Sequence, residues 1–283
     1  MLKVVCMFAV ALAAAALPIS SQAEQKPLWE AGLGLGAVTI PDYRGSDQSN
    51  VYPVPVPYFV YRGKFLKADR EGVRGELFDK RYLELSLSFH ASTPVRDDNE
   101  ARTGMPNLRP TLEFGPSLDV HVWRSPSAEM KLDLVMPLRL PVTVESSPQT
   151  LGWTFAPRLN LDIENVAGQQ GWNFGFGVGP VFAAAEYHQY IYSVAPRYAT
   201  DARPAYEARG GYAGTQVLTA ISKRFPKYWV GAYLSYQNLH GAAFEDSPLV
   251  RQQNYLSGGI GFAWMIGKSK RMVEVDFEDD TNE

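Results

Sequence analysis

From Trp29 onward, apolar residues return at every second position, not at the 3.6-residue spacing of an amphipathic helix. The clearest stretch runs from Leu151 to Ile163. Leu151, Trp153, Phe155, Leu159, Leu161 and Ile163 share one face, with Gly152, Thr154, Ala156, Arg158, Asn160 and Asp162 on the other. Met130, Leu132, Leu134, Met136, Leu138 and Leu140 alternate with Lys131, Asp133 and Arg139. Leu112, Phe114, Leu118, Val120 and Val122 alternate with Glu113, Ser117, Asp119 and His121. Leu83, Leu85, Leu87 and Phe89 stand against Glu84, Ser86, Ser88 and His90.

A soluble sandwich alternates as well, so the period alone does not choose the solvent. The length of the apolar faces does. Their five or six members need strands of about 9–11 residues, the length that crosses a bilayer, where soluble strands average about five. Charges and glycines on the opposite faces suit a wet lumen, and aromatics near strand ends suit interfacial girdles. The pattern predicts an all-β, transmembrane antiparallel up-and-down β-barrel of twelve strands. They fall at 29–38, 51–61, 64–70, 73–79, 81–91, 110–123, 129–143, 150–164, 172–183, 212–225, 228–239 and 254–266.

The connections check this division. Long ones at 41–50, 92–109, 184–211 and 241–253 follow odd-numbered strands. Short ones at Arg62-Gly63, Ser125–Ala128, Val166–Gly171 and Pro226-Lys227 follow even-numbered strands. With a periplasmic N-terminus, the long connections are extracellular loops and the short ones periplasmic turns. The phase depends on splitting 64–79 at Asp69-Arg-Glu-Gly72.

The ends of the chain lie outside the period. Lys3, the apolar run Val4–Leu17, Pro18 and Ser21-Gln22-Ala23 read as a signal peptide at 1–23, cleaved after Ala23. The run is too short for a spanning helix. The barrel then occupies 24–266, closed by a strand carrying Leu256, Ile260, Phe262, Trp264 and Ile266, and 267–283 is an acidic periplasmic tail. Met272–Phe277 is the alternative closing strand, at the cost of an odd strand count.

Composition removes several function classes. Cys6 leaves with the signal peptide, so the mature chain has no disulfide, thiol nucleophile or cysteine metal site. A net charge of -3 with interspersed signs argues against nucleic acid as a partner. Gly32, Gly34 and Gly36, like Gly175, Gly177 and Gly179, repeat at spacing two with no helix following, so they read as lumen-facing strand glycines and no cofactor is expected. The histidines are scattered and no metal site is expected, although His90 and His121 are placed close together on lumen faces. Glu84 and Glu113 are expected as neighbours in a salt-bridged lumen lining with Lys131, Asp133, Arg139 and Arg158. No GxSxG element or similar signature is present, so no catalytic residues are assigned. The prolines of Tyr52-Pro-Val-Pro-Val-Pro-Tyr58 predict a distorted second strand in preference to a polyproline ligand.

Eight segments in order across the mature chain carry a family resemblance. They are Ile40-Pro-Asp-Tyr-Arg-Gly-Ser-Asp47, Ala101-Arg-Thr-Gly-Met-Pro-Asn-Leu108, Tyr192-Ser-Val-Ala-Pro196 and Arg203-Pro-Ala-Tyr206, then Gly210-Gly-Tyr-Ala-Gly214, Ser222-Lys-Arg-Phe225, Trp229-Val-Gly-Ala232 and Phe244-x-x-Ser-Pro-Leu-Val250. Together they resemble the MltA-interacting protein family, also called MipA/OmpV, of outer-membrane proteins. The acidic extension after Ile266 departs from the family's usual abrupt end. The resemblance implies contact with outer-membrane lipid and a scaffold role. The partners it implies are a murein-degrading lytic transglycosylase and a bifunctional penicillin-binding protein. It also marks Pro41, Asp42, Tyr43, Gly45, Ser46, Arg102, Gly104, Met105, Pro106, Arg203, Pro204, Tyr206, Ser247, Pro248 and Leu249 as structural or interaction residues of the loops.

Three functions follow as expectations. The first is an interaction protein docking murein enzymes from the periplasmic side. The second is a small-solute channel, with glycine-lined strands leaving room in the lumen. The third is an adhesin or receptor using the tyrosines of the 184–211 loop.

Overall fold

The computed structural model describes residues 24–62, 66–69, 72–75, 78–80, 82–92, 99–127 and 129–275; residues 1–23, where the sequence predicts a signal peptide, lie outside them. A short β1 (Glu24–Pro27) precedes the long strands β2 (Trp29–Pro41) and β3 (Ser49–Arg62). Three short strands follow, β4 (Leu66–Asp69), β5 (Gly72–Gly75) and β6 (Phe78–Lys80), then β7 (Leu83–Ala91), β8 (Thr111–Arg124) and β9 (Met130–Thr143). β10 (Thr154–Phe155), β11 (Arg158–Glu164) and β12 (Trp172–Ala183) lead to helix α1 (Ala185–Tyr192). β13 (Gly211–Arg224), β14 (Tyr228–Asn238), β15 (Asn254–Lys268) and β16 (Met272–Val275) complete the chain.

Every pairing is antiparallel, and β15 pairs with β2 from Gly258↔Thr39 to Lys268↔Glu30, so the closing strand is 254–268. β10 and β11 both lie between β9 and β12 and form one strand, interrupted at Ala156-Pro157, where proline has no N–H to give. β5 pairs with β4, and β6 pairs with β7. Alternating strand direction makes β5 and β6 run the same way, as two pieces of one strand. Counted so, the described residues make twelve barrel strands, and the pairing Asp69↔Gly72 supports the split of 64–79.

The faces sort as the solvents demand. Leu35 and Ile266 are 75% and 73% exposed, and Leu112, Phe114, Leu140, Leu234, Ile260 and Trp264 also face outward. Glu30, Glu84, Ser86, Glu113, Ser117, Asp119, Ser222 and Ser257 are buried. This inversion is stable when the outer solvent is hydrocarbon. Leu151 breaks its expected face: it lies before β10 and is buried, because its N–H donates back to the Pro141 carbonyl at 2.9 Å.

The proline strand is regular, which corrects the expected distortion. β3 pairs with β2 without a break from Tyr61↔Trp29 to Ser49↔Pro41. In an antiparallel ladder, alternate residues bond to opposite neighbours. Pro53, Pro55 and Pro57 share one parity, so their missing N–H groups fall on one edge of β3, and the unbroken pairing with β2 argues that it is the edge away from β2. There, among the described residues, β4 pairs with Tyr61 and Arg62.

The lumen glycines permit close strands, and aromatics occupy the space they leave. A Cβ on Gly34 would collide with the Phe262 carbonyl of the adjacent strand. Gly36, Gly261 and Gly231 align across β2, β15 and β14. The Trp229 ring lies over Gly231, and Tyr58 packs beside it with ring centroids 6.1 Å apart. Beside this row of β2, β15 and β14, the Trp229 and Tyr58 rings take up part of the space that the glycines leave.

At the end bearing the chain termini, β1 pairs with β16, Glu24↔Val275 through Pro27↔Met272. This two-stranded ribbon continues the β2–β15 pair, since Ser269 N–H donates to the Trp29 carbonyl at 2.8 Å. No helix among the described residues is long and apolar enough to cross a membrane.

Candidate functional site

At the other end, the four long connections converge on one hydrophobic cluster. Tyr43 of the first, Ala101 and Leu108 of the second, Tyr192, Val194 and Ala208 of the third, and Leu239, Phe244 and Leu249 of the fourth pack together. The Tyr192 and Phe244 rings stack at 3.7 Å with planes 7° apart, and Tyr192 is 1% exposed. The loops thus form a packed cap over the barrel mouth.

Polar motif residues fasten the cap through backbone carbonyls. Tyr43 donates to the Leu249 carbonyl at 2.8 Å, and Ser247 to the Tyr192 carbonyl at 2.7 Å. Arg102 donates to Ile191 (2.6 Å) and Pro106 (3.1 Å) carbonyls. Arg203 reaches Ala101 and Thr103, both at 3.0 Å, and Tyr198 at 2.8 Å. Asp42 accepts from Asn50 and Asn99, each at 2.7 Å, and Asn99 also donates to Ser46 at 3.1 Å. Gly45 takes φ +92°, a left-handed turn in a buried position that favours glycine. Met105, Tyr206 and Val250 pack against the core, whereas Gly104 and Pro204 are exposed, Pro41 ends β2, and Pro248 is half-buried beside Leu249. The family-motif loops are brought together, chiefly as internal fastenings.

Burial sets the protonation of the cap. It raises the Tyr43 hydroxyl from 10.0 to about 12, with Arg102 opposing. Burial also raises Tyr187 and Tyr192 and lowers His188, whose Nδ1 lies 2.6 Å from the Arg209 carbonyl.

Beneath the cap, the lumen groups separate by level. Glu113 accepts from Thr154 at 2.9 Å and from Tyr187 of α1 at 3.3 Å. Arg139 donates to Ser88 at 2.9 Å, and Arg158 to Asn160 at 3.2 Å. Lower down, Asp133 is held by Arg124 (2.6 Å) and His121 (3.0 Å), and Lys131 lies 3.9 Å from Glu164. Arg224 and Glu30 form a 2.5 Å pair near the terminal end.

Two expected neighbourhoods are corrected by the register. Glu84 faces Asp119 and Glu113 faces His90, so the two glutamates stand six residues, about 20 Å, apart along the ladder. His121 lies eight residues from Glu113, hence about 26 Å from His90. Among the described residues, no three His, Cys, Asp or Glu side chains form a metal-holding group. Arg44, Asn99, His188, Tyr255 and the Trp229–Tyr58 pair carry much of the interior, and the sequence singled out none of them as a site. Their one signal is position: Arg44 and Trp229 fall within the motif segments at 40–47 and 229–232.

The family described as MltA-interacting protein MipA matches residues 33–266, from the first barrel strand through the closing one. The chain belongs to the MipA family. It is an outer-membrane β-barrel. A search of curated proteins finds no match. Among solved structures, outer membrane phospholipase A from Escherichia coli is 12% identical with a TM-score of 0.33, over 85% of this chain and 94% of that one. The outer membrane protein OprG from Pseudomonas aeruginosa is 10% identical with a TM-score of 0.25, over 86% and 94%. The Pseudomonas putida toluene transporter TodX is 11% identical with a TM-score of 0.25, over 84% and 67%.

Proposed function

We propose that this MipA-family barrel is a non-catalytic interaction protein of the cell envelope. In this reading it docks a lytic transglycosylase, and with it a penicillin-binding protein, at its periplasmic end. The observation that carries the reading is the inward turn of the long loops. Tyr43, Tyr192, Phe244 and Leu249 are buried in the cap, so the residues best suited to gripping a surface ligand are spent on one another. The opposite end keeps the short turns and the β1–β16 ribbon, whose outer edges offer backbone groups for strand addition. The family's name supports the transglycosylase as partner. The cap and the aromatic rings beside the glycine row weigh against the channel, and buried Tyr192 weighs against an adhesive loop.

The test is co-purification from native envelopes. The wild-type barrel retains a lytic transglycosylase, and replacement of the Ser125–Ala128 turn or of 269–283 removes it while the barrel still assembles. Wild-type barrel that retains no murein enzyme overturns the proposal. Single-channel steps in planar bilayers from wild-type protein would establish the channel in its place.

A further inference from the structure

Arg44 lies in the first long loop, and its setting is unusual for a guanidinium. The Tyr192 hydroxyl donates to its carbonyl at 2.9 Å, and Arg251 and Gln252 N–H groups close on the next carbonyl, that of Gly45, at 2.8 and 3.1 Å. These bonds fix the loop and send the side chain under the cap. There, Nε and Nη2 are shielded from solvent and have no hydrogen-bond partner. The residue as a whole is half-buried, while these two nitrogens are fully shielded.

The surroundings do not neutralise it. Its nearest polar neighbours are the phenols of Tyr255, Tyr192 and Tyr187. Tyr255 lies within hydrogen-bonding reach of the guanidinium and feels its charge, and its hydroxyl keeps a proton to give. The carboxylate at this level, Glu113, stands behind Tyr187, and its two oxygens accept from Tyr187 and Thr154. Glu113 is also shared electrostatically with Arg139 and Arg158. The groups set electrostatically against Arg44 are thus phenols, and Glu113 is engaged with Tyr187, Thr154 and Arg139. A buried cation without a paired anion is strongly unfavourable.

The open atoms have a specific geometry. In a guanidinium, Nε–H and Nη2–H point the same way and form its side-on fork, which matches two oxygens of a carboxylate or phosphate. We propose that the chamber beneath the cap binds a small free oxyanion, a carboxylate- or phosphate-bearing solute, through the Nε/Nη2 edge of Arg44, with the Tyr255 hydroxyl as a further donor. This site is independent of periplasmic docking, and its failure would leave that reading standing.

The experiment uses the full mature chain in detergent micelles, titrated with inorganic phosphate or with acetate at constant ionic strength. Binding is read by calorimetry and by the protease resistance of the 184–210 loop. Wild-type protein binds one of the two saturably and its loop becomes more resistant. Arg44→Gln abolishes saturable binding, and Arg44→Lys, which keeps the charge but loses the fork, weakens it at least tenfold. Arg197→Gln, an exposed position on the cap, binds as wild type does. If Arg44→Gln fails to fold, Arg44→Lys decides: wild-type affinity in that variant overturns the fork. Absence of saturable binding to wild type by either anion overturns the site, and leaves water as the partner of those N–H groups.

Discussion

The Tyr43 hydroxyl donates to the Leu249 carbonyl at 2.8 Å, joining residues 206 positions apart and tying the first long loop to the last. Tyr43→Phe keeps the ring and removes the donor, which costs the cap about 1 kcal/mol. Phe244→Ala removes the partner stacked on Tyr192 and costs about 3–5 kcal/mol. Hydrogen exchange across 239–250 reads both, with the larger acceleration expected for Phe244→Ala. Barrel strands such as β13 and β14 should keep their protection in both variants. Loss of protection throughout the barrel would show that the cap is not a separable unit.

Alkaline pH should loosen the cap. Burial raises Tyr43 from 10.0 to about 12, so the folded cap holds the neutral phenol more firmly than the unfolded chain does. Its contribution is complete below about pH 10 and falls as pH rises toward 12, by a few kcal/mol at most, at about 1.4 kcal/mol per pH unit. Tyr187 and Tyr192 shift in the same direction and steepen the loss. Protease sensitivity of the loops, followed from pH 9 to 12, should rise steeply in wild type and less steeply in Tyr43→Phe.

Acid should loosen it through His188. Burial holds this imidazole below its usual range, against the Arg209 carbonyl that favours the charged form and Arg44 that disfavours it. The rings of Tyr187, Tyr192 and Phe244 pack around it. A lowered folded value means stability is complete above the unfolded value of about 6.5 and declines as pH falls below it. Cleavage in 184–210 should increase between pH 7.5 and 5 in wild type, and His188→Asn should flatten that limb. An unchanged acid limb in the variant would assign the effect to other groups.

Barrel closure should be intolerant of side chains at Gly34. A Cβ there meets backbone, the Phe262 carbonyl, which cannot move aside as a flexible side chain would. Gly34→Val should therefore reduce the fraction of heat-modifiable, assembled barrel on gels well below wild type. Equal assembly would mean that β2 and β15 are less closely apposed than the geometry requires.

Processing provides a separate check at the start of the chain. Ser21-Gln22-Ala23 predicts cleavage after Ala23, so protein isolated from envelopes should begin at Glu24. An intact mass that retains residues 1–23 would contradict this.

The alternation of Leu83–Phe89 against Glu84–His90 was readable because a two-residue period is local. Register is not local. His90 and His121 share a face, yet pairing with Glu113 and Asp133 sets them far apart. The prolines of β3 suggested distortion because their effect depends on the neighbouring strand, and the described pairing of β4 lies at Tyr61 and Arg62, away from the prolines. Arg44 was unreadable as a site for the same reason. Its burial is made by Tyr187, Tyr192 and Tyr255, which lie more than a hundred residues away.

Photo-crosslinking in living cells tests the central claim most directly, with a photoreactive residue placed at Ser127 in a short turn or at Asp47 on the exposed cap. Docking at the periplasmic end predicts a crosslink to a lytic transglycosylase from Ser127 and none from Asp47. A crosslink to that enzyme from Asp47 alone, or from neither position nor any other short turn, would contradict it.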